Sequence, residues 1–330
     1  MLQTDSVFLC AFFEFSAVNF FIFSNCLPTS TDKTTMKKTI TSLCFVVISF
    51  TAFAQNVTPY DTTAKPQLIA RQFSFTEGAS TDKMGNVFFT DQPNNKIWEY
   101  DINGKLSVFL DSAGRSNGMY FDAKGNLISC ADEHDQVWSI SPKKKIKVLV
   151  TGINGKLLNG PNDLWVAPNG GIYMTDPYYQ RDYWTRKTSD LDGQKVYYLP
   201  KNSHTPIVVD DKLKQPNGIV GTPDGNYLYV SDIADHKTYK YTINADGSLV
   251  NRTLIINQGS DGMTLDEKGN IYLTGNGVTI YDPQGNKMGH IAINEPWTSN
   301  LCFAGKNKDV LFITATTAIY TLQMKVRGVE

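Results

Sequence analysis

Cysteine is scarce in this chain. Of 330 residues only five are Cys, and three of them (Cys10, Cys26, Cys44) fall in the first 54 positions. Cys130 and Cys302 are all that remain beyond that stretch. This excludes a disulfide framework, while an oxidising compartment would still permit a single bridge. Charge of one sign is lacking too. Lys and Arg number 31 against 32 Asp and Glu, for a formal net charge of −1, which gives no electrostatic footprint for nucleic acid. The one basic run, Lys143-Lys144-Lys145, follows Ser141-Pro142 and reads as a solvated loop. The four histidines (His134, His204, His236, His290) are expected in polar loops, and no pair has metal spacing. No G-x-S-x-G occurs, so a His-based serine hydrolase is disfavoured. Long segments of helical periodicity are missing, whereas aromatics, Gly and Asn recur. That balance points to an all-β protein.

Long apolar runs are confined to the N-terminal part. Residues 36–55 read MKKTITSLCFVVISFTAFAQ, with a basic start at Lys37-Lys38, an apolar core from Leu43 to Phe53, and Ala52-Phe53-Ala54 as a cleavage pattern. This is the layout of a secretory signal, and its core is too short for a stable bilayer span. Cleavage after Ala54 places the mature protein in the periplasm or outside the cell, with no stable membrane span once the signal is removed. Cys44 opens the apolar run rather than following it, so no lipid anchor is expected. The signal begins at Met36. Residues 1–35 are therefore assigned to a gene-model extension or disordered leader, 36–54 to the signal peptide and 55–330 to the folded domain. An apolar membrane segment around residues 7–24 is the alternative for the leader, and Glu14 interrupts it.

What the remainder has in quantity is repetition. Six segments share a polar first residue, a turn and an apolar strand: EGASTDKMGNVFFTD from Glu77, NGMYFDAKGNLISCAD from Asn117, NDLWVAPNGGIYMTD from Asn162, NGIVGTPDGNYLYVSD from Asn217, DGMTLDEKGNIYLTG from Asp261 and NLCFAGKNKDVLFIT from Asn300. Their starts lie roughly 40 to 55 residues apart. The turn falls eight residues after each start, at Gly85, Gly125, Gly170, Gly225, Gly269 and Lys308. Strand-like runs fill the gaps: KIWEYD, QVWSIS, KVYYLP, TYKYTI, VTIYD and AIYTL. About four strands per unit at this period predict a six-bladed β-propeller, with four-stranded antiparallel blades around a central channel. QLIARQFSF, ahead of Glu77, is expected to complete the blade begun by the C-terminal copy and so close the ring. The longest insertion, PYYQRDYWTRKTSDLDG after Asp176, is placed as a loop over one face.

Equivalent positions in a propeller lie at equivalent distances from its axis. Glu77, Asn117, Asn162, Asn217, Asp261 and Asn300 should therefore form an oxygen-bearing ring at one mouth of the channel. Asn-Gly and Asp-Gly are also ordinary turn formers, and that is the bland reading of any single pair. Six polar residues at one repeat position, two of them acids, suggest more. Two carboxylates near an axis repel, so one takes a proton or a cation fills the gap. Oxygen-only ligands suit a hard cation, calcium first, then magnesium or manganese. A rival set of acids at strand ends, Asp91, Asp132, Asp176 and Asp232, reads as structural or capping.

Over about residues 70–328 the chain resembles the senescence marker protein/gluconolactonase family of six-bladed propeller lactonases. The stretches that carry the resemblance are FTEGASTD, GPNDLWVAPNGGIYMTDPYY, QPNGIVGTPDGNYLYVSD, SDGMTLDEKGNIYLTGN and EPWTSNLCFAGKNKDVLFITATTAIYTLQMKVRG. The resemblance implies a hydrolase of carboxylic ester bonds that opens a small-molecule sugar lactone to the aldonic acid. It implies a divalent cation, Ca2+ first, with Mg2+, Mn2+ or Zn2+ as alternatives, held by Glu77, Asn217 and Asp261. Asp261 would double as the catalytic base and acid, with Asn162 as a substrate contact and Asn117 as a weaker one. Tyr178, Tyr179 and Trp184 of the insertion would either cover the sugar or pack on the surface. Two departures stand out. Ala79 replaces the usual Pro, and Gly160 stands where some members place Arg, so substrate preference does not carry over. Arg115 is available as a substitute, with a surface role as the safer reading. Two other functions remain open: an extracellular propeller scaffold with structural calcium, and a calcium-dependent phosphotriester hydrolase.

Overall fold

The structure is a computed structural model that describes residues 58–329. The signal and leader assignments lie outside the described residues. The described strands are β1 (Gln67–Arg71), β2 (Thr76–Thr81), β3 (Val87–Asp91), β4 (Lys96–Tyr100), β5 (Leu106–Asp111), β6 (Ser116–Phe121), β7 (Leu127–Ala131), β8 (Gln136–Ile140), β9 (Ile146–Val150), β10 (Leu164–Val166), β11 (Ile172–Asp176) and β12 (Lys195–Leu199). There follow β13 (Ile207–Asp210), β14 (Pro216–Gly221), β15 (Tyr227–Asp232), β16 (Lys237–Ile243), β17 (Leu249–Ile256), β18 (Met263–Leu265), β19 (Ile271–Leu273), β20 (Val278–Tyr281), β21 (Lys287–Ile291), β22 (Asn300–Ala304), β23 (Val310–Ala315) and β24 (Ala318–Gln323). They form six four-stranded sheets, five of them in sequence order from β2 onward. The sixth runs β22-β23-β24-β1, with β1 antiparallel to β24. The chain is a six-bladed β-propeller closed by its own N-terminal strand, as the leftover QLIARQFSF segment predicts.

Each repeat folds as it does because its turn is locally determined. In the first blade the Asp82 carboxylate accepts the N–H groups of Met84 (2.8 Å) and Asn86 (2.9 Å) through Oδ1, and the Asn86 amide (2.8 Å) through Oδ2. Asp122 and Asp266 repeat the pattern in blades two and five. The residue eight after each repeat start is left-handed in all six copies, from Gly85 at φ 95° to Lys308 at φ 56°. Glycine takes that region freely. Lys308 carries the strain and offsets it by bonding Thr81 Oγ1 and the Asp82 carbonyl through Nζ.

The core lies between blades, not inside them. Middle strands are buried on both faces, so they read as continuous apolar runs. Alternate residues serve different neighbours. In β3, Val87 and Phe89 pack with blade six residues such as Phe312, while Phe88 packs with Met119 and Trp138 of blade two. In β11, Ile172 and Met174 face Ile128 and Val137 of blade two, while Tyr173 faces Leu228 and Tyr229 of blade four. Cys130 and Cys302 sit in different clusters and form no disulfide. His290 lies in β21 rather than in a polar loop. Among the described residues no helix is long and apolar enough to cross a membrane.

Candidate functional site

The innermost strands are β2, β6, β10, β14, β18 and β22, and they crowd together at the axis. The register of β2, β6 and β14 slips just where Glu77, Asn117 and Asn217 stand. Such bulges re-aim side chains. The glycine after the ring residue makes the crowding feasible. The Gly118 N–H donates to the Asn162 carbonyl at 2.7 Å, and a Cβ on Gly118 would lie 2.7 Å from that oxygen. A Cβ on Gly218 would stand 2.5 Å from the Asp261 carbonyl. These glycines serve close approach of neighbouring blades, not a hairpin turn.

A cavity of about 230 Å³ opens at this end, lined by Glu77, Asn117, Asn162, Asn217 and Asp261 together with Phe75, Gln92, Tyr179, Arg181, Ile233 and Trp297. Five of the six ring residues therefore meet there. Asn300 does not line the cavity. Its amide donates to Glu77 Oε2 at 3.1 Å, and its carbonyl oxygen accepts the N–H of Leu301. It supports the ring rather than completing it.

The two acids are close enough to perturb each other. Burial pushes the Glu77 carboxyl well above the usual carboxylate range, and the charges of Asp261 and Asp163 add to the effect. The Gly78 N–H, 2.6 Å from Oε2, opposes it. Burial likewise raises Asp261 from 3.8 to about 6, against the pull of Trp297, Asn217 and Arg181. Trp297 Nε1 donates to Asp261 Oδ2 at 2.6 Å. Asn217 Nδ2 donates to the Tyr179 hydroxyl at 3.1 Å. This leaves Asn217 Oδ1 buried without a hydrogen-bond partner, and Asn117 Oδ1 is in the same condition. Unpaired buried carbonyl oxygens are costly, and two of them at one cavity, beside two carboxylates, fit a site for a ligand. Among the described residues no cluster of three or more His, Cys, Asp or Glu could hold a metal. Two carboxylates with amide oxygens remain, a donor set that suits hard cations and not soft ones.

A third acid, Asp163, lies beside the ring, where four of the other five copies have glycine. Its carboxylate accepts the N–H groups of Leu164 (2.9 Å) and Ile219 (3.4 Å), tying blade three to blade four. Of the strand-end acids, Asp91 accepts the N–H groups of Ser74 and Phe75, and Asp232 those of Lys214 and Gln215. Both brace the segment entering an innermost strand. Asp176 takes the Asn159 N–H in the same way. Asp132 differs. Its Oδ2 accepts Arg181 Nε (2.7 Å), the Tyr183 hydroxyl (2.5 Å) and Gln92 Nε2 (2.9 Å), and its carbonyl accepts Trp184 Nε1 (3.0 Å). It pins the 177–193 insertion to blade two. Within that insertion Tyr179 reaches the cavity, Trp184 is buried against Gly160, and Tyr178 does not line the cavity. Arg115 stays outside, stacked on Tyr183 and paired with Glu133.

Sequence reasoning assigned no role to Arg181, Trp297 or Gln92. Trp297 stood in the quoted EPWTSN stretch and Arg181 in the insertion. Both lie between repeats, where no partner copy draws attention to them.

The fold and this cavity define a six-bladed propeller with a polar, acid-and-amide site at one mouth of its axis. Residues 75–317 match the SMP-30/Gluconolactonase/LRE-like region, and the chain belongs to that family. Among curated relatives, a gluconolactonase from Zymomonas mobilis is 29% identical over 302 residues, covering 81% of this chain and 83% of its own. Among solved structures, a gluconolactonase from Xanthomonas campestris superposes with a TM-score of 0.73 at 25% identity, over 81% of this chain and 97% of that one. A calcium-binding protein, regucalcin, from Agrobacterium tumefaciens gives a TM-score of 0.66 at 17% identity, over 80% and 95%. At that identity the likeness speaks to the fold alone.

Proposed function

We propose that the protein is an exported, divalent-cation-dependent lactonase that hydrolyses a sugar lactone to its aldonic acid at the axial cavity. The observation that carries this reading is the convergence of the Glu77 and Asp261 carboxylates with the buried, unpartnered Oδ1 of Asn217. The fit is chemical: a cation held by Glu77, Asn217 and Asp261 would relieve the repulsion of the two acids and satisfy the orphan oxygen. Calcium suits the oxygen-only set. When bound, the cation supplies polarisation of the lactone carbonyl and stabilises the negative charge that develops on it.

The rest is done by the chain's own residues. Asp261 accepts a proton from the attacking water and returns it to the ring oxygen that leaves. Trp297 holds Oδ2 of that carboxylate and so orients it toward the cavity. Asn117 and Asn162 face the sugar hydroxyls, with the free Oδ1 of Asn117 ready to accept one. Phe75 and Ile233 give the cavity apolar walls. The signal-like residues 36–54 support an exported site of action.

The test is a pH-stat assay of acid release from a panel of aldonolactones. We expect calcium-dependent turnover that chelator abolishes and Asp261→Asn removes, with the active species recovered from the exported fraction starting at Gln55. Calcium binding without turnover on any lactone would instead support a propeller scaffold with a structural ion.

A further inference from the structure

The cavity holds one cation-bearing side chain among the described residues, Arg181, and it comes from the insertion rather than from a blade. Its position is built. Nε is bonded to Asp132, a carboxylate only 1% exposed, and the guanidinium carbon lies 5.5 Å from the centre of the Tyr179 ring. Gln92 and Tyr183 hold the same Asp132 oxygen, so the anchor cannot swing. Beneath the loop, Trp184 occupies the space above Gly160, where a Cβ would lie 2.6 Å from the indole. No side chain from that point of blade three can enter, and the cationic charge that the cavity presents beside Glu77 and Asp261 comes from the loop.

The use made of the guanidinium is telling. Its neighbour Arg186 spends Nη2 on Asp135 and on the Asn159 carbonyl, and its remaining nitrogens are buried, with the guanidinium stacked on Trp184 and Tyr178. Arg115 spends Nη1 on the Pro93 carbonyl. Arg181 spends Nε on Asp132, while among the described residues no acceptor takes its two terminal nitrogens. An arginine held by one edge, with its fork free in a cavity, matches an oxyanion that accepts two parallel bonds.

We propose that Arg181 selects substrates with an anionic group remote from the ester, such as a carboxylate, sulfonate or phosphate, by a two-pronged contact through its terminal nitrogens. This rests on the lactonase reading for the word ester, but the anion preference is testable without turnover. Arg181 is a specificity residue here and takes no part in the proton transfers.

The experiment uses the full chain with calcium and measures binding of three open-chain acids by calorimetry: gluconate, glucarate and 6-phosphogluconate. The wild type should bind glucarate or 6-phosphogluconate at least tenfold more tightly than gluconate, and which of the two wins identifies the anion. Arg181→Gln should reduce that ratio at least tenfold. Arg181→Lys, which keeps the charge but not the fork, should retain part of it. In turnover, the preference of kcat/KM for 6-phosphogluconolactone over gluconolactone should fall through KM in the Gln variant. Equal binding of all three acids by the wild type overturns the proposal, as does a ratio that survives Arg181→Gln. Acid release from neutral lactones with no anion preference would sink this inference alone. Anion preference with no hydrolysis of any lactone would sink the lactonase reading alone.

Discussion

Replacing Asp261 with Asn should make the metal-free protein more stable and the enzyme inactive. The structure gives the size of the effect. Burial raises Asp261 from 3.8 to about 6, and the Asp261 charge in turn helps to raise Glu77. Two pH units at about 1.4 kcal/mol each come to about 3 kcal/mol of lost stability once the group is ionised. Water entering the open cavity lowers this to about 2 kcal/mol. The sign follows from linkage. Between pH 3.8 and about 6 the folded state holds the proton more tightly than the unfolded chain, so stability falls as pH rises through that window. Above it the loss is complete, and below it there is none. Asn keeps the shape and an acceptor for Trp297 but carries no charge against Glu77. In chelator at pH 7.5, Asp261→Asn should therefore melt roughly 5 °C or more above the wild type. The gain should disappear by pH 4. Added calcium at a hundred times its Kd should raise the wild type by about 2.7 kcal/mol and leave the variant almost unmoved. Calorimetric melts at the two pH values, with and without calcium, decide the matter. A variant that melts below the wild type in chelator at pH 7.5, or whose gain is the same at pH 4, refutes the picture of two carboxylates held against their own repulsion.

Two further outcomes follow from the same geometry. Trp297→Phe removes the 2.6 Å bond to Asp261 Oδ2, which favours the ionised form; the acid limb of the kcat profile should move up by about half to one pH unit, and an unmoved limb would separate Trp297 from the titration. Gly218→Ala places a Cβ 2.5 Å from the Asp261 carbonyl, so it should cost about 2 kcal/mol and depress turnover by shifting Asp261. Gly125→Ala, at φ 81° with open space around it, should cost about 1 kcal/mol and leave turnover alone.

The blades were legible because what builds them is local. An Asp-x-x-Gly-Asn turn bonds to itself within five residues, and a strand buried on both faces must be apolar throughout. Each copy thus announces its own hairpin, and six copies announce the ring. The closing strand was legible by subtraction, as a leftover β-like segment with one open edge to join. The ring of polar first residues was legible for a related reason: symmetry converts a sequence register into a radius. Symmetry also misled at the sixth position. Asn300 is followed by Leu301, not glycine, and its carbonyl oxygen folds back onto the Leu301 N–H. The side chain is thereby committed to bracing Glu77. The missing glycine was the available signal.

What stayed hidden is what symmetry cannot supply. Arg181 and Trp297 come from connections between blades, and a loop residue with no counterpart has no register to read. The first of them depends on Asp132, which looks in the sequence like Asp91 and Asp232. In those blades the strand-end carboxylate is consumed by backbone N–H groups of the incoming segment. In blade two it instead binds an arginine, a tyrosine and a glutamine side chain. The repeat therefore conserves a position while the chain around it changes that position's use. On the proposed reading the reaction centre lies in the part of each blade that repeats, because equidistance from the axis is what brings Glu77, Asn217 and Asp261 together. The proposed choice of substrate then belongs to the part that does not repeat, because only an irregular loop can place one charge off the axis. On that division, changes at Arg181 should alter which lactone is bound, and changes at Asp261 should alter whether any is opened.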